Sequence, residues 1–403
     1  MNRINLNDDI EDSSIYEIID EEILEYTKDK IFSINKKNKL RREIFDSIRG
    51  LDILEEIISD ADITEIMING PDNIFYEKQG IICKYDGKFS SLERLEDVIQ
   101  QIVSFVNRRV NESTPIVDSR LKDGSRVNVV LKPVAINGPI LTIRRFPKER
   151  ITIDKLIEIN SITKEAAEFL RVLVVSGYNI FISGGTGSGK TTFLNALSNF
   201  IPNTERIITI EDSAELQLQN IENIVKLEAR EANIEGENAV TIRDLIKSSL
   251  RMRPDRIVVG EVRGPEAIDM LQAMNTGHDG SLSTGHANSP RDMLSRLETM
   301  ILMGMEIPIS AVRSQIASGI DILVQLGRLR DRTRKVIEIV EIIGIQNDDF
   351  ILNKLYEFDE EKGCENIKVN GKLTWTKNGL RNTQKLINNG LFKEAEIYGN
   401  NKI

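Results

Sequence analysis

The sequence contains only two cysteines and two histidines among its 403 residues. Cys83 and Cys364 lie far apart and form no CxxC pair, so neither a zinc cluster nor a thiol redox centre is expected. Long hydrophobic runs are also missing, because even the apolar stretch at residues 336–345 contains two glutamates. A membrane-spanning helix needs roughly 18 consecutive apolar residues. We therefore expect any association with a membrane to come through partners only.

An excess of positive charge is lacking as well. The formal net charge is -10 and aromatic residues make up 5% of the chain, so direct binding of nucleic acid is not expected, although a local basic face is left open. Residues 1–12 carry several acids and no apolar core preceded by positive charge, which does not fit a secretory signal. These features predict a cytoplasmic protein.

The length and the 40% hydrophobic content predict two domains with additional segments. The first 60 residues are acidic and lysine-rich with apolar positions at helical spacing, which predicts a helical leader. Short β-like runs and one helical pattern follow in residues 61–147 and predict a small α+β domain. We interpret residues 148–160 as a linker, with a hinge near Pro147.

Apolar strand-like runs alternate with helical patterns in residues 161–345. This alternation predicts an α/β domain with a doubly wound, mostly parallel sheet. The last segment, residues 346–403, is rich in Asn, Lys and Gly, and we expect it to be a weakly packed polar tail.

A phosphate-binding loop is the sharpest local signal in the sequence. The GxxxxGK[ST] pattern lies between a strand-like run and a helical run, and comprises Gly184, Gly185, Thr186, Gly187, Ser188, Gly189, Lys190 and Thr191. The glycines let the backbone curl around phosphate oxygens at a helix N-terminus, Lys190 reaches the β and γ phosphates, and the Thr191 hydroxyl joins the Mg²⁺ shell. A chance match in a chain of this length is expected about once in a hundred sequences. The pattern thus predicts a bound nucleotide with Mg²⁺.

Two further strand-like runs end in acidic residues, Glu211 and Glu261. The carboxyl ends of parallel strands border the ligand crevice of an open α/β sheet. A carboxylate at that edge can hold a metal-bound water or orient the water that attacks the γ-phosphate. We assign metal binding through water to Glu261 and positioning of the attacking water to Glu211; the alternative for each is a solvated charge at a strand end.

Both histidines, His278 and His286, lie within residues 276–289. Their spacing is too wide for a usual zinc pair. An imidazole N–H, or the nearby hydroxyls of Thr284 and Ser281, can hydrogen-bond a γ-phosphate and lose that contact after hydrolysis. The alternative is a pair of structural histidines in a glycine-rich turn.

Arginines cluster in two places. Arg120, Arg126, Arg144 and Arg145 lie on the last strands before the linker. A guanidinium that reaches across a domain or subunit boundary stabilises negative charge during phosphoryl transfer, whereas solvated strand arginines are the alternative. Three more, Arg251, Arg253 and Arg263, flank the strand that ends at Glu261, where an ion pair within the domain is equally plausible.

Four segments resemble, in order, the Walker A, Asp, Walker B and His boxes of the secretion ATPase superfamily. They are GGTGSGKTT at 184–192, ITIEDSAEL at 208–216, LRMRPDRIVVGEVRGPEA at 250–267 and TGHDGSLSTGHANSPRDMLSRLETM at 276–300. The earlier segments DGSRVNVVLKP and GPILTIRRF resemble the CpaF (TadA-type) branch, the motors of Flp or tight-adherence pili and related type II and type IV systems. The resemblance covers residues 60–345.

This resemblance implies a RecA-like ATPase domain, a homo-hexameric ring and a position peripheral to the cytoplasmic membrane. By motif position, residues 184–192, including Thr192, bind nucleotide, and Thr191 and Glu261 serve the metal. Glu211 becomes the Asp-box acid and His286 the His-box residue, while Arg126 and Arg144 face the phosphates. Gly285 departs from the family pattern, in which a β-branched or larger apolar residue precedes the histidine, and we expect it to loosen its strand.

The implied function is ATP hydrolysis that rotates the first domain against the second and drives an inner-membrane platform protein of a pilus or secretion machine. An alternative is a ring-shaped DNA-translocating ATPase, since RecA-like cores serve both purposes. That alternative predicts a basic, aromatic-bearing channel. A third possibility is a regulatory scaffold that binds nucleotide without hydrolysing it.

Overall fold

The computed structural model describes residues 11–28, 32–78, 80–106, 108–145, 151–219, 221–230, 232, 237–361 and 368–393. The chain divides into two compact units, Met1–Arg150 and Ile151–Ile403. Pro147 and residues 148–150 of the predicted linker lie outside the described residues. Among the helices that the structure describes, none has both the length and the apolar character needed to cross a bilayer.

The amino-terminal unit begins with a helical hairpin, α1 (Asp12–Tyr26) and α2 (Ile34–Ile48). Ile15, Ile19 and Ile23 recur every four residues and therefore form one buried stripe on α1. Their partners on α2 are Leu40, Ile44, Phe45 and Ile48. These residues form a small core of their own, separate from the larger core of the unit.

A six-stranded antiparallel sheet forms the rest of this unit, in the order β3-β2-β1-β6-β5-β4. Its elements are α3 (Leu54–Ser59), β1 (Ile63–Asn69), β2 (Ile74–Lys78), β3 (Ile81–Lys84), α4 (Leu92–Ser104), β4 (Ile116–Arg120), β5 (Arg126–Val130) and β6 (Ile140–Arg144). The apolar face of α4 and alternate strand residues such as Val127 and Val129 share one core. Leu54 and Ile57 of α3 join the same core, so α3 packs with the sheet.

The carboxyl-terminal unit contains a nine-stranded sheet in the order β15-β14-β13-β12-β7-β11-β10-β8-β9. Its strands are β7 (Ile180–Gly184), β8 (Ile207–Glu211), β9 (Ile224–Glu228), β10 (Arg256–Val259), β11 (Leu282–Gly285), β12 (Ile322–Arg328), β13 (Arg334–Gln346), β14 (Asp349–Glu360) and β15 (Gly371–Trp375). Strands β7 to β12 pair in parallel, and β13, β14 and β15 continue the sheet in antiparallel fashion.

Helices cover both faces of this sheet. They are α5 (Ile153–Glu158), α6 (Lys164–Val175), α7 (Lys190–Ser198), α8 (Ile242–Ser249), α9 (Ala267–Asn275), α10 (Pro290–Gly304), α11 (Ile309–Gly319) and α12 (Gln384–Asn388). Along the central strand β7, Ile180 and Ile182 enter one core and Phe181 enters the other. This alternation across a parallel sheet confirms the predicted doubly wound α/β fold.

We expected residues 346–403 to form a weakly packed tail. This expectation is wrong for the described part of the segment. Strand β14 pairs with β13 along most of its length, and β15 pairs with β14. Leu355, Tyr356 and Leu373 are buried in the main core. The low average hydropathy of the segment conceals these few apolar positions, which pack because a long neighbouring strand supplies hydrogen-bond partners. In the same way, residues 153–158 of the predicted linker form α5, and Leu156 packs into the core.

Buried and partly buried polar residues hold the amino ends of β7, β11 and β12, and we call this end of the sheet the rear edge. Lys385 donates to Asp321 at 2.8 Å and to the Gly177 carbonyl at 3.0 Å. Glu341, 1% exposed, accepts the backbone N–H groups of Arg381 and Asn382. These bonds attach the segment after β15 to the sheet.

Candidate functional site

The loop between β7 and α7 has the conformation that the phosphate-binding pattern predicts. Gly187 and Gly189 have φ values of 71° and 93°, a left-handed region that L side chains rarely adopt. Gly189 is also the N-cap residue of α7, which starts at Lys190. The loop thus ends at a helix N-terminus, whose first N–H groups have no partner within the helix and attract anions.

The two glycines at the start of the loop, Gly184 and Gly185, differ in how closely other atoms approach them. A Cβ atom on Gly184 would lie 2.8 Å from the carbonyl oxygen of Leu326, so only glycine allows this close approach. A Cβ atom on Gly185 would meet no atom within 4 Å, so the space over the loop is open. The Ser188 hydroxyl donates to the Gly185 carbonyl at 2.8 Å and closes the curl. The loop therefore forms a rigid cradle with an open side, which fits a phosphate chain.

Lys190 extends back along the loop. Its ammonium group donates to the carbonyl oxygens of Gly184 and Gly185, at 3.1 and 3.2 Å, and lies 3.2 Å from Nδ1 of His286. The residue is only 8% exposed. Burial lowers the pKa of Lys190, whereas the negative charge of Glu261 opposes that change. The ammonium is thus held at the cradle by uncharged partners.

His286 connects Lys190 to Glu261. Its Nε2 lies 2.8 Å from Oε1 of Glu261, and the other oxygen of this carboxylate accepts from Arg263 at 2.7 Å. Oε1 of Glu261 accepts no hydrogen bond from the described residues, so its approach to His286 is a close polar contact and not a hydrogen bond. Nδ1 of a neutral imidazole can accept from the ammonium of Lys190. Burial lowers the pKa of His286, the charge of Glu261 opposes this change, and the charges of Lys190 and Arg263 lower the pKa further. The four side chains therefore form one chain of polar contacts.

Glu211 lies at the end of β8 and is 3% exposed. Its Oε1 accepts the backbone N–H groups of Glu215 and Leu216, at 2.8 and 2.9 Å. A Cβ atom on Gly260 would lie 2.9 Å from Cγ of Glu211, so this glycine lets the carboxylate approach the end of β10, next to Glu261. The predicted acids thus meet at one sheet edge, but one oxygen of Glu211 holds the following loop.

Two predicted hydroxyls make other contacts. The Thr284 hydroxyl donates to the Gly260 carbonyl at 2.8 Å, and the Ser281 hydroxyl donates to the His278 carbonyl at the same distance. His278 lies at the opposite end of β11 from His286, with Nδ1 3.2 Å from the Ala273 carbonyl. The structural interpretation therefore fits His278 and Ser281, because the strand between the two histidines carries them to opposite edges of the sheet.

Gly285 does not loosen β11. It pairs in register with Ser183, and a Cβ atom on it would lie 2.9 Å from both Met293 and Phe181. These two large side chains fill the space that an apolar residue at position 285 would take. The expectation of a loosened strand is wrong because the neighbouring residues compensate for the missing side chain.

The arginines of the amino-terminal unit form a row across three strands. Arg126 lies directly opposite Arg120 on β4 and Arg144 on β6, so the three side chains leave the same face of the sheet. Arg145 instead donates to the backbone carbonyls of Asp60 and Ile63, a structural role. Arg126 and Arg144 are therefore neighbours, and their contact with phosphates stays a prediction.

Sequence reasoning missed Arg334. Its Nε donates to the Gly187 carbonyl at 2.9 Å, across 147 positions of the chain. Arg256 was also missed; it is buried and pairs with Glu205. The run of arginines at residues 328–334 is visible in the sequence, but its placement depends on the pairing of β12 with β7.

The chain matches known proteins over most of its length. Residues 48–388 match the family model described as type II/IV secretion system protein. A putative conjugal transfer protein of Mycobacterium tuberculosis is 35% identical over 298 residues, which is 72% of this chain and 84% of that protein. The type IV secretion system protein PtlH of Bordetella pertussis is 33% identical, covering 72% of this chain and 93% of that protein.

Among solved structures, the pilus retraction motor PilT with bound ADP matches with a TM-score of 0.55 and 18% identity, covering 86% of this chain and 89% of that one. This likeness shows a shared fold. The family match spans both units and contains the phosphate-binding loop with its two acids and histidine. The chain therefore belongs to the type II/IV secretion system protein family.

Proposed function

We propose that this chain is a motor that hydrolyses ATP with Mg²⁺ to power pilus assembly or protein secretion. The observation that carries the proposal is the polar chain Lys190–His286–Glu261 beside the open cradle. In this arrangement a cation, an imidazole and a carboxylate surround the place where the terminal phosphates would lie. The similarity to PtlH and to conjugal transfer proteins supports a role in a secretion system.

The donor set suits magnesium. The Thr191 hydroxyl, at the first turn of α7, and the carboxylate of Glu261 are oxygen ligands of the kind that Mg²⁺ prefers. When bound, the ion neutralises charge on the phosphate oxygens. Glu261 already contacts His286 and Arg263, so we assign its role to a water in the metal shell.

The residues of the site have separate tasks. Lys190 leaves its carbonyl and imidazole partners to bind the terminal phosphates, because a phosphate is a stronger acceptor than either. His286 contacts Lys190 through Nδ1 and Glu261 through Nε2. It therefore loses a partner when Lys190 moves to the phosphates. Glu211 orients the attacking water. Arg126 and Arg144 stabilise charge as the first unit rotates against the second.

The assembly follows from the family. We propose a homo-hexamer of the CpaF type that lies at the cytoplasmic face of the membrane and acts on a membrane platform protein. The chain then contacts the membrane through this partner.

The experiment is a hydrolysis assay of Lys190→Ala beside Lys164→Ala, which removes an exposed lysine at the start of α6. Turnover should disappear in the first variant and persist in the second, while circular dichroism stays unchanged in both. Hydrolysis that survives in Lys190→Ala disproves the site. Wild-type turnover should also require Mg²⁺ and show no stimulation by DNA; stimulation by DNA favours the translocase alternative.

A further inference from the structure

The hairpin that joins β12 to β13 carries four arginines, Arg328, Arg330, Arg332 and Arg334. Its turn is tightly closed, because Leu329 N–H donates to the Thr333 carbonyl and Arg332 N–H donates to the Leu329 carbonyl, at 2.8 and 2.9 Å. Asp331 accepts both the N–H and the hydroxyl of Thr333. The arginines thus project from a fixed backbone.

Two of these arginines contact the phosphate-binding loop. Arg334 donates through Nε to the Gly187 carbonyl at 2.9 Å, and its Cδ lies 3.5 Å from the position of a Cβ on Gly189. A terminal nitrogen of Arg328 lies 3.7 Å from the position of a Cβ on Gly187. Two arginine side chains of the hairpin therefore lie beside the middle of the loop.

The other two arginines are arranged differently. Arg330 pairs with Glu360 on β14. Arg332 is exposed and has a left-handed backbone, with φ 66°. Within the described part of the chain it makes no contact with the loop. Arg328 is exposed too and, within the residues that the structure describes, has no carboxylate partner. Its N–H donors are therefore available to an anion beside the loop.

The bond from Arg334 fixes more than one atom. The C=O of Gly187 and the N–H of Ser188 belong to one planar peptide unit, so holding the carbonyl fixes the orientation of the whole unit. A cradle with a fixed backbone loses less conformational freedom when it takes up phosphate. The contact thus favours the conformation that binds an anion.

We propose that Arg334 is a positioning residue for the phosphate-binding loop and that Arg328 is a further ligand of the nucleotide phosphates. This inference rests on the proposed function of the loop as an ATP site. Both residues lie outside the four sequence boxes. The inference thus gives the arginine hairpin a role in binding nucleotide.

The test measures binding of a fluorescent ATP analogue to Arg334→Gln, Arg334→Lys, Arg328→Gln and the matched control Arg332→Asn. The control removes one positive charge from the same hairpin, and asparagine tolerates the left-handed backbone at that position. Hydrogen bonds to charged groups predict a loss of affinity of about ten- to hundredfold for the two glutamine variants. Arg332→Asn should remain within about twofold, and Arg334→Lys should recover part of the loss because it keeps a donor and a charge.

The steady-state parameters separate positioning from chemistry. Arg334→Gln should raise KM much more than it lowers kcat, because the loop still closes once nucleotide is bound. Affinities of Arg334→Gln and Arg328→Gln equal to that of Arg332→Asn overturn the inference. If that happens while Lys190→Ala abolishes hydrolysis, only the hairpin proposal fails; hydrolysis by Lys190→Ala removes the proposed function itself.

Discussion

The two ends of the nine-stranded sheet both hold buried or partly buried charged side chains, but these groups have different hydrogen-bond partners at the two ends. At the rear edge, Glu341 and Asp321 accept N–H groups of the protein itself, and Lys385 reaches a carboxylate. At the opposite end, which we call the phosphate edge, Lys190 is held by two carbonyls and an imidazole. In the described residues no carboxylate touches its ammonium.

This difference shows which buried charges are structural. A lysine paired with a carboxylate has its preferred anion already, and a phosphate must compete with that anion. Neutral partners hold the ammonium in place, and a phosphate replaces them at a lower cost in free energy than it would replace a carboxylate. Substitutions of charged side chains at the phosphate edge should therefore change turnover, and substitutions of charged side chains at the rear edge should change stability.

The largest effect that tests this comparison is expected from Glu261→Gln. The substitution keeps the shape of the side chain but removes the charge that contacts His286 and Arg263. We expect kcat to fall by roughly a hundredfold or more, as for other groups that act in proton or water positioning. The melting temperature should change little, and the surface substitution Glu158→Gln should affect neither quantity. A kcat within twofold of wild type contradicts the assignment.

The opposite pattern is expected from Glu341→Ala at the rear edge. Its carboxylate accepts two partly buried backbone N–H groups and the buried Asn353 amide, so the substitution leaves these donors without their acceptor. The free energy of unfolding should fall by about 3 kcal/mol. Urea denaturation measures this loss, and the nucleotide affinity should stay unchanged. Glu341→Gln keeps an acceptor oxygen and should lose less stability. Equal stability of the wild type and both variants would contradict the structural role of Glu341.

A smaller effect is expected from Gly285→Val. This substitution sharpens the comparison because it changes the packing at the phosphate edge without changing a charged side chain. The new side chain would clash with Met293 and Phe181, and overpacking costs about 1–3 kcal/mol. Thermal unfolding should show the loss. The double substitution Gly285→Val with Met293→Ala should recover part of it, because the smaller residue frees the space. No recovery means that the clash is not the cause.

The smallest effect is the pH dependence caused by His286. Its pKa is lowered in the folded protein, mainly by burial, so the unfolded chain binds a proton at a higher pH than the folded chain does. Its contribution to stability is therefore present above the unfolded pKa, about 6.5, and is lost as the pH falls through the lower folded pKa. His286→Gln should weaken the dependence of the melting temperature on pH below about 6.5. An unchanged slope would show that other groups control this range.

The sequence reveals the phosphate-binding loop because its requirements are local: glycines for left-handed backbone, then a helix start at Lys190. Glu211 and Glu261 are also predictable, since strand ends in a parallel sheet meet at one edge. Arg334 and the partners of Gly285 are not, because they depend on contacts between distant segments. The same holds for β14, which packs only because β13 precedes it.

The small core of the α1–α2 hairpin has a consequence for how the protein opens. Three isoleucines and their partners on α2 are separate from the core that contains α4. Regions with few buried apolar contacts unfold locally before the rest of a domain does. Helices α1 and α2 thus form the cooperative segment whose amide protons should exchange with solvent before those of the antiparallel sheet in the same unit.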